Sequence, residues 1–202
     1  MSAGPNDAQP CGRADAPVRA FFFRSVVAAR RSPRSLGVIK LPLVLRAIST
    51  PELQALSAGT YTSRHLTIAE GALPPAHVAV RALRLLSEGQ IEQWCSTYFM
   101  VQHPQNLVVG ACGFKGHPVQ GRVEIGYGVS PGMRGQGHAS AAVQTLLAIA
   151  FSSGSVNEVL AQVGTNNPAS TRVVAKLGFT ASGTRVDEDD EILVQWVATN
   201  AA

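Results

Sequence analysis

Residues Val123 to Phe151 read VEIGYGVSPGMRGQGHASAAVQTLLAIAF, and this stretch decides the fold. Val123, Ile125, Tyr127 and Val129 alternate along its first part with the period of a strand. The chain then breaks into a glycine-rich turn and resumes with Ala139, Val143, Leu146, Leu147 and Ala150 at i, i+4, i+7, i+8 and i+11, the stripe of an amphipathic helix. A strand therefore feeds a glycine-rich helix start. Backbone N–H groups left without intrahelical partners converge there, and the macrodipole adds about half a positive charge, so an anion is expected, most naturally a pyrophosphate. Gly135 and Gly137 remove the Cβ atoms that would keep a phosphate from the backbone, and Arg134 can add charge-assisted hydrogen bonds.

Spacing separates the kinds of phosphate loop. A nucleoside-triphosphate loop needs Gly-Lys followed by Ser or Thr, and that triplet is absent from the chain. A dinucleotide fingerprint needs a third glycine or alanine three places after the second glycine, where Gly135-x-Gly137 is followed by Ser140 and Gly126-x-Gly128 by Pro131. Arg134-x-x-Gly137-x-Ala139, after a strand and opening a helix, does fit a known pattern: it resembles the acetyl-coenzyme A loop of the GNAT N-acetyltransferases. A second stretch, Asn167-Pro168-Ala169-Ser170 through Lys176-Leu177-Gly178-Phe179, resembles the Asn-x-x-Ser…Lys-x-Gly-Phe segment of the same superfamily. The two motifs stand in the right order, one helix and one strand apart. The likeness covers about residues 41–198 and is greatest to the branch with the ribosomal-protein N-terminal (alanine/serine) acetyltransferases.

The resemblance implies an α/β (α+β) GNAT fold. Its central mixed sheet has six to seven strands with helices on both faces, and a splayed parallel strand pair binds acetyl-CoA. On that pattern Tyr127, Gly128 and Val129 lie beside the pantetheine arm, with a backbone N–H near Val129 polarising the thioester carbonyl. Arg134, Gly135, Gln136, Gly137, His138 and Ala139 form the pyrophosphate loop, and Asn167 and Ser170 contact the arm near the sulfur. Glu124 resembles the acidic strand position that takes the amine proton, directly or through water; an exposed strand carboxylate is the plain alternative. Glu92 is a second, weaker candidate base. Many relatives carry a tyrosine that protonates the thiolate where this chain has Val174, so Ser170 or solvent is expected to act instead.

Other features have simpler readings. Asn167 can serve as a helix N-cap, alone or together with a ligand role. Lys176 reads as a solvated charge near a helix C-terminus, and Asp187 to Glu191 as a solvated hairpin tip whose field could also draw in a cationic amine. His65, His77, His103 and His117 lack ligand spacing and read as surface or core histidines.

Composition sets the outer bounds. The chain has 202 residues with 46% hydrophobic residues, ample for one domain, and a formal charge of +4. Seven of its Lys and Arg residues lie in 1–40 against Asp7 and Asp15, while the remainder holds ten basic and eleven acidic residues. The basic character belongs to that leader, so the domain is not expected to bind nucleic acid. Residues 1–40 read as a basic, disordered N-terminal extension. Their Arg and Ser content faintly resembles a transit peptide, and translated upstream sequence is another reading. Cys11, Cys95 and Cys112 form no close pair, which suits a reducing cytoplasm and suggests neither disulfides nor a metal site. No uninterrupted apolar run of about 18 residues occurs, so no membrane association is expected.

Along the domain, Pro42–Ile48 reads as a strand, Thr50 as the cap of a helix opening at Pro51, and 74–88 as a longer helix; the resemblance implies that this helix pair lies over the substrate cleft. Strands follow at 94–101, 107–114 and 122–129, then the loop helix, a parallel strand at 158–163, the Asn167–Ser170 helix stopped at Gly178, and a hairpin of 179–186 with 192–197; residues 199–202 are a tail. The expected activity is acetyl transfer from acetyl-CoA to an amine acceptor, either a peptide N-terminus or a small amine, in a direct ternary complex. A non-catalytic acyl-CoA-binding module is the alternative. The resemblance also allows a homodimer through a strand edge.

Overall fold

The computed structural model describes Met1 and residues 42–200; the rest of the basic extension with its Cys11, and the last two residues, lie outside them. The elements are β1 (Leu43–Ala47), α1 (Thr50–Ser57), β2 (Thr67–Ile68), α2 (Ala76–Ser87), α3 (Glu92–Cys95), β3 (Thr97–Gln102), β4 (Leu107–Phe114), β5 (Arg122–Val129), α4 (His138–Ser152), β6 (Glu158–Gly164), α5 (Pro168–Lys176), β7 (Thr180–Val186) and β8 (Ile192–Thr199). They form one mixed sheet in the order β1-β3-β4-β5-β6-β8-β7, with β2 paired to β4. All neighbours on that path are antiparallel except β5 and β6, which run parallel and are joined through α4.

Each face of the sheet carries its own core. On one side α4 lays Ala142, Val143, Leu146 and Ala150 against Val123 and Ile125 of β5 and Met100 of β3, and Val174 of α5 joins them. On the other, Leu53 and Leu56 of α1 and Ala79 and Ala82 of α2 pack on Phe99, Val101 and Val108. β3 thus buries both of its faces, in keeping with the four successive apolar residues Tyr98 to Val101 at its centre. The predicted α4 stripe is the buried one in essence, although Ala139 and Leu147 are only half-buried and Ala142 lies deeper.

Two glycines bring β4 close to its neighbours. A Cβ on Gly110 would stand 2.2 Å from the Gly128 carbonyl oxygen, and one on Gly113 would stand 2.5 Å from that of Ser96. Only glycine fits at these crossings. An extra residue, Val109, bulges β4 between the Val101↔Val108 and Met100↔Gly110 pairs. Beyond that point β2 takes the flank of β4 that β5 leaves at Ser130: Ala69 N–H donates to Val108, Ser130 N–H to Val109, and the buried Ser130 hydroxyl to Glu70 carbonyl at 2.6 Å.

Several expected boundaries shift. β2, two residues long, is the eighth strand beyond the six or seven expected. Residues 92–95 turn as the short helix α3, so the strand expected from Trp94 starts at Thr97; Trp94 and Cys95 are buried as core contacts, with Trp94 edge-on to Phe114. Ser49, one residue before the expected Thr50, caps α1, and both its N–H and its hydroxyl donate to Glu52.

Candidate functional site

The parallel ladder holds only from Arg122↔Glu158 to Ile125↔Ala161. Past Ile125 the strands part: β5 continues to Val129 on β4, and β6 continues to Gly164 on β8. Glu124 C=O accepts from Lys115 N–H at 2.8 Å and Ser130 N–H donates to Val109, so the even-numbered residues of β5 point their backbone groups at β4. Backbone direction alternates along a strand, so the polar groups of Tyr127 and Val129 point into the opening beside β6. This is the edge on which an extended, amide-bearing chain could pair.

At the end of that edge stands the glycine turn. Gly135 and Gly137 have φ of 76° and 84°, and Gly137 is the left-handed N-cap of α4. A Cβ is strained at such angles, which explains glycine at both positions. Arg134 is exposed and folds back along the strand, its Nε donating to the Val129 carbonyl at 3.4 Å. Gln136 is exposed, His138 is buried in the first turn of α4, and Ala139 is half-buried. The turn thus sets the start of α4 beside the opening.

Between Val108 and Glu124, the α2-facing side of β4 and β5 carries Ala111, Gly113, Gly126 and Gly128, nothing larger than a methyl group. Over this floor lies a cleft of about 460 Å³, walled by His77, Val78 and Arg81 of α2, by Lys115, and by Tyr127, Val129 and Arg134. Of the two helices expected over the substrate cleft, α2 lines this cleft and α1 does not.

On the far side of the opening, Asn167 caps α5, its Oδ1 accepting from Ser170 N–H at 3.0 Å. The Tyr127 hydroxyl reaches across and donates to the Ser170 carbonyl at 3.3 Å. Burial pushes the Tyr127 phenol above its ordinary value, the contact with Ser170 pulling the other way. Position 174, where a proton-donating tyrosine was sought, is fully buried among Leu146, Phe179 and their neighbours. Tyr127 is the hydroxyl-bearing residue that reaches Ser170 at the opening, and the alternation along β5 that places it on the α4–α5 side is the sequence signal for it.

Glu124 is half-buried and ion-paired with Lys115 Nζ. Arg81 is a second cation in its field; burial pulls its guanidinium below the ordinary value and Glu124 opposes this. Glu124 lines a neighbouring cavity of about 590 Å³, together with Lys115, His117, Arg122 and Glu158, the last two also ion-paired. Lys115 lines both cavities and stands between Glu124 and the cleft. Sequence reasoning passed over Lys115 and Arg81. Glu92 is exposed on α3 and lines neither cavity. Asp187 to Glu191 forms the β7–β8 turn, with Asp187 Oδ1 accepting from Asp189 and Glu191 N–H.

Residues 43–180 match the acetyltransferase (GNAT) domain family. The chain is similar to the uncharacterized N-acetyltransferase p20 of Bacillus licheniformis, with 29% identity over 102 residues, which are 50% of this chain and 57% of that protein. The chain thus spans little more than half the length of this curated relative. Its fold is similar to that of the Salmonella typhimurium acetyltransferase that modifies the N-terminal serine of a 50S ribosomal subunit protein, with a TM-score of 0.57 and 20% identity, covering 78% of this chain and 95% of that one. It is also similar to the aminoglycoside acetyltransferase AAC(6')-Ib in complex with coenzyme A, with a TM-score of 0.55 and 18% identity, covering 79% of this chain and 95% of that one. The family match takes in the parting strands, the glycine turn and α5, and this chain belongs to the GNAT acetyltransferase domain family.

Proposed function

We propose that the protein is an N-acetyltransferase that transfers the acetyl group of acetyl-CoA to a primary amine, a peptide N-terminus or a small molecule, by direct attack in a ternary complex. The observation that carries this reading is the parting of β5 and β6 above the left-handed glycine turn of α4. One edge offers the backbone groups of Tyr127 and Val129, and its end offers helix N–H groups with Arg134 beside them, a match to a substrate with an amide-bearing arm and a phosphate end. Bound there, acetyl-CoA supplies the thioester.

The chain's own residues supply the rest. Tyr127, Gly128 and Val129 align the arm, and a Tyr127 or Val129 N–H directed into the opening polarises the carbonyl. Arg134, Gly135, Gln136, Gly137, His138 and Ala139 hold the phosphates. Asn167 fixes the first turn of α5, which brings Ser170 and the Tyr127 hydroxyl together at the opening. Tyr127, which keeps its proton because burial disfavours the phenolate, returns it to the departing sulfur, with the Ser170 hydroxyl as a second donor. Glu124, once Lys115 yields its place, takes the proton of the attacking amine.

The proposed setting is the cytoplasm, where acetyl-CoA and amine acceptors are both present. No helix among the described residues is long and apolar enough to cross a membrane. The test follows free thiol released from acetyl-CoA by the full chain with peptides beginning in alanine or serine, polyamines and aminoglycosides. Amine-dependent release with any of these supports the reading, and binding of acetyl-CoA without release in every case replaces it with a non-catalytic acyl-CoA-binding module.

A further inference from the structure

We propose that Lys115 is itself an acetyl acceptor, so that the protein acetylates its own active-site lysine when no external amine is present. The inference rests on the reading of the cleft as an acetyl-CoA site. Three observations lead to it. The Lys115 Nζ is bound to the Glu124 carboxylate, the group assigned to deprotonate the attacking amine, so the amine held at that carboxylate in this structure is the protein's own. The side chain crosses the floor of the cleft, its Cε lying 3.4 Å from where a Cβ on Gly126 would be, one residue from Tyr127 and its inward-facing N–H. Lys115 lines the cleft that holds Tyr127, Val129 and Arg134, and its side chain is 35% exposed, so it is neither locked in the core nor out in solvent.

The step balances without further reagents. Glu124 takes one proton from the Lys115 ammonium and passes it to solvent, the freed lone pair forms the N–C bond to the thioester carbonyl carbon, the C–S bond breaks as the thiolate takes the Tyr127 hydroxyl proton, and the second proton shed by the nitrogen restores the Tyr127 hydroxyl through solvent. The products are acetyl-lysine and coenzyme A. Acetylation removes the ammonium that occupies Glu124 and leaves the carboxylate to an incoming acceptor, so the modification would also change acceptor turnover.

The sequence makes the test sharp, because the chain has only three lysines, Lys40, Lys115 and Lys176. Lys176 is exposed in the last turn of α5 and lines neither cavity, so it reports uncatalysed acetylation. Full-length protein is incubated with isotope-labelled acetyl-CoA and no amine, and labelled acetyl groups are located by intact mass and peptide mapping. The expected result is one acetyl group per chain on Lys115, at least tenfold faster than on Lys176, lost in Lys115→Arg and slowed tenfold or more in Glu124→Gln. Equal labelling of Lys115 and Lys176, or labelling of Lys115 that Glu124→Gln leaves unchanged, overturns the proposal. Amine-dependent thiol release with Lys115 unlabelled overturns it while leaving the acetyltransferase reading intact. Absence of acetyl-CoA binding by calorimetry overturns both.

Discussion

The Tyr127 hydroxyl on β5 donates to the Ser170 carbonyl in the first turn of α5, 3.3 Å away, across the opening where β5 and β6 part. This contact joins the strand that presents the opening to the helix that borders it. It also sets a half-buried phenol, its pKa raised by burial, at that opening, whereas Val174 lies in the core.

Tyr127→Phe keeps the ring and removes the donor. We expect kcat to fall tenfold or more, within the range for a lost general acid, with the KM for acetyl-CoA unchanged. Loss of one ordinary hydrogen bond costs about 1 kcal/mol of stability, so the variant stays folded. Steady-state kinetics beside a thermal melt separate the two effects.

Glu124→Gln removes the carboxylate that holds Lys115 and would take the amine proton. Turnover should fall about 10²- to 10⁴-fold, with acetyl-CoA affinity by calorimetry unchanged. Unchanged turnover rejects Glu124 as base.

Gly110→Ala should destabilise the sheet, because its Cβ would lie 2.2 Å from Gly128 O and 3.0 Å from Val129 Cα, both backbone atoms. Strand β5 would have to move, at a cost of about 1–3 kcal/mol or more. Denaturant unfolding measures this, and acetyl-CoA binding should weaken with it, since Gly128 and Val129 border the opening.

Arg46 of β1 grips Glu52 of α1 through two hydrogen bonds, at 2.6 and 3.2 Å. Burial pushes the Glu52 carboxyl up, but the Arg46 guanidinium and the Ser49 donors outweigh it and hold the group below its ordinary 4.5. A carboxyl depressed in the folded state stabilises above its unfolded value, and that stabilisation is lost as pH falls below about 4.5. Arg46→Met should therefore lose stability at neutral pH and lose less than the parent on acidification, as thermal melts across pH 3 to 7 would show.

The site was legible in the sequence where its signal is local. The strand-to-helix change in period and the glycines of the turn are short-range properties: Tyr127, Val129 and Arg134 line one cleft, and Gly135 and Gly137 take left-handed φ in the turn that follows. What was missed depends on pairing across the chain. β2 is two residues whose strand character comes only from β4. α3 was hidden because Trp94 and Cys95, buried in a helical turn, carry the same apolar signature as the strand they precede. Lys115 meets Glu124 only because β4 and β5 pair antiparallel, and Tyr127 meets Ser170 from 43 positions away. Residue period along the chain does not report such cross-strand and strand-to-helix contacts.

Titration calorimetry of acetyl-CoA into the full chain and into Gly137→Val decides whether the opening between β5 and β6 receives acetyl-CoA. Saturable one-to-one binding to the parent is expected, with a loss of tenfold or more in a variant that remains folded, because valine opposes the left-handed N-cap of α4 and would crowd a phosphate held at that turn. No binding to the parent, or equal binding to both proteins, would contradict it.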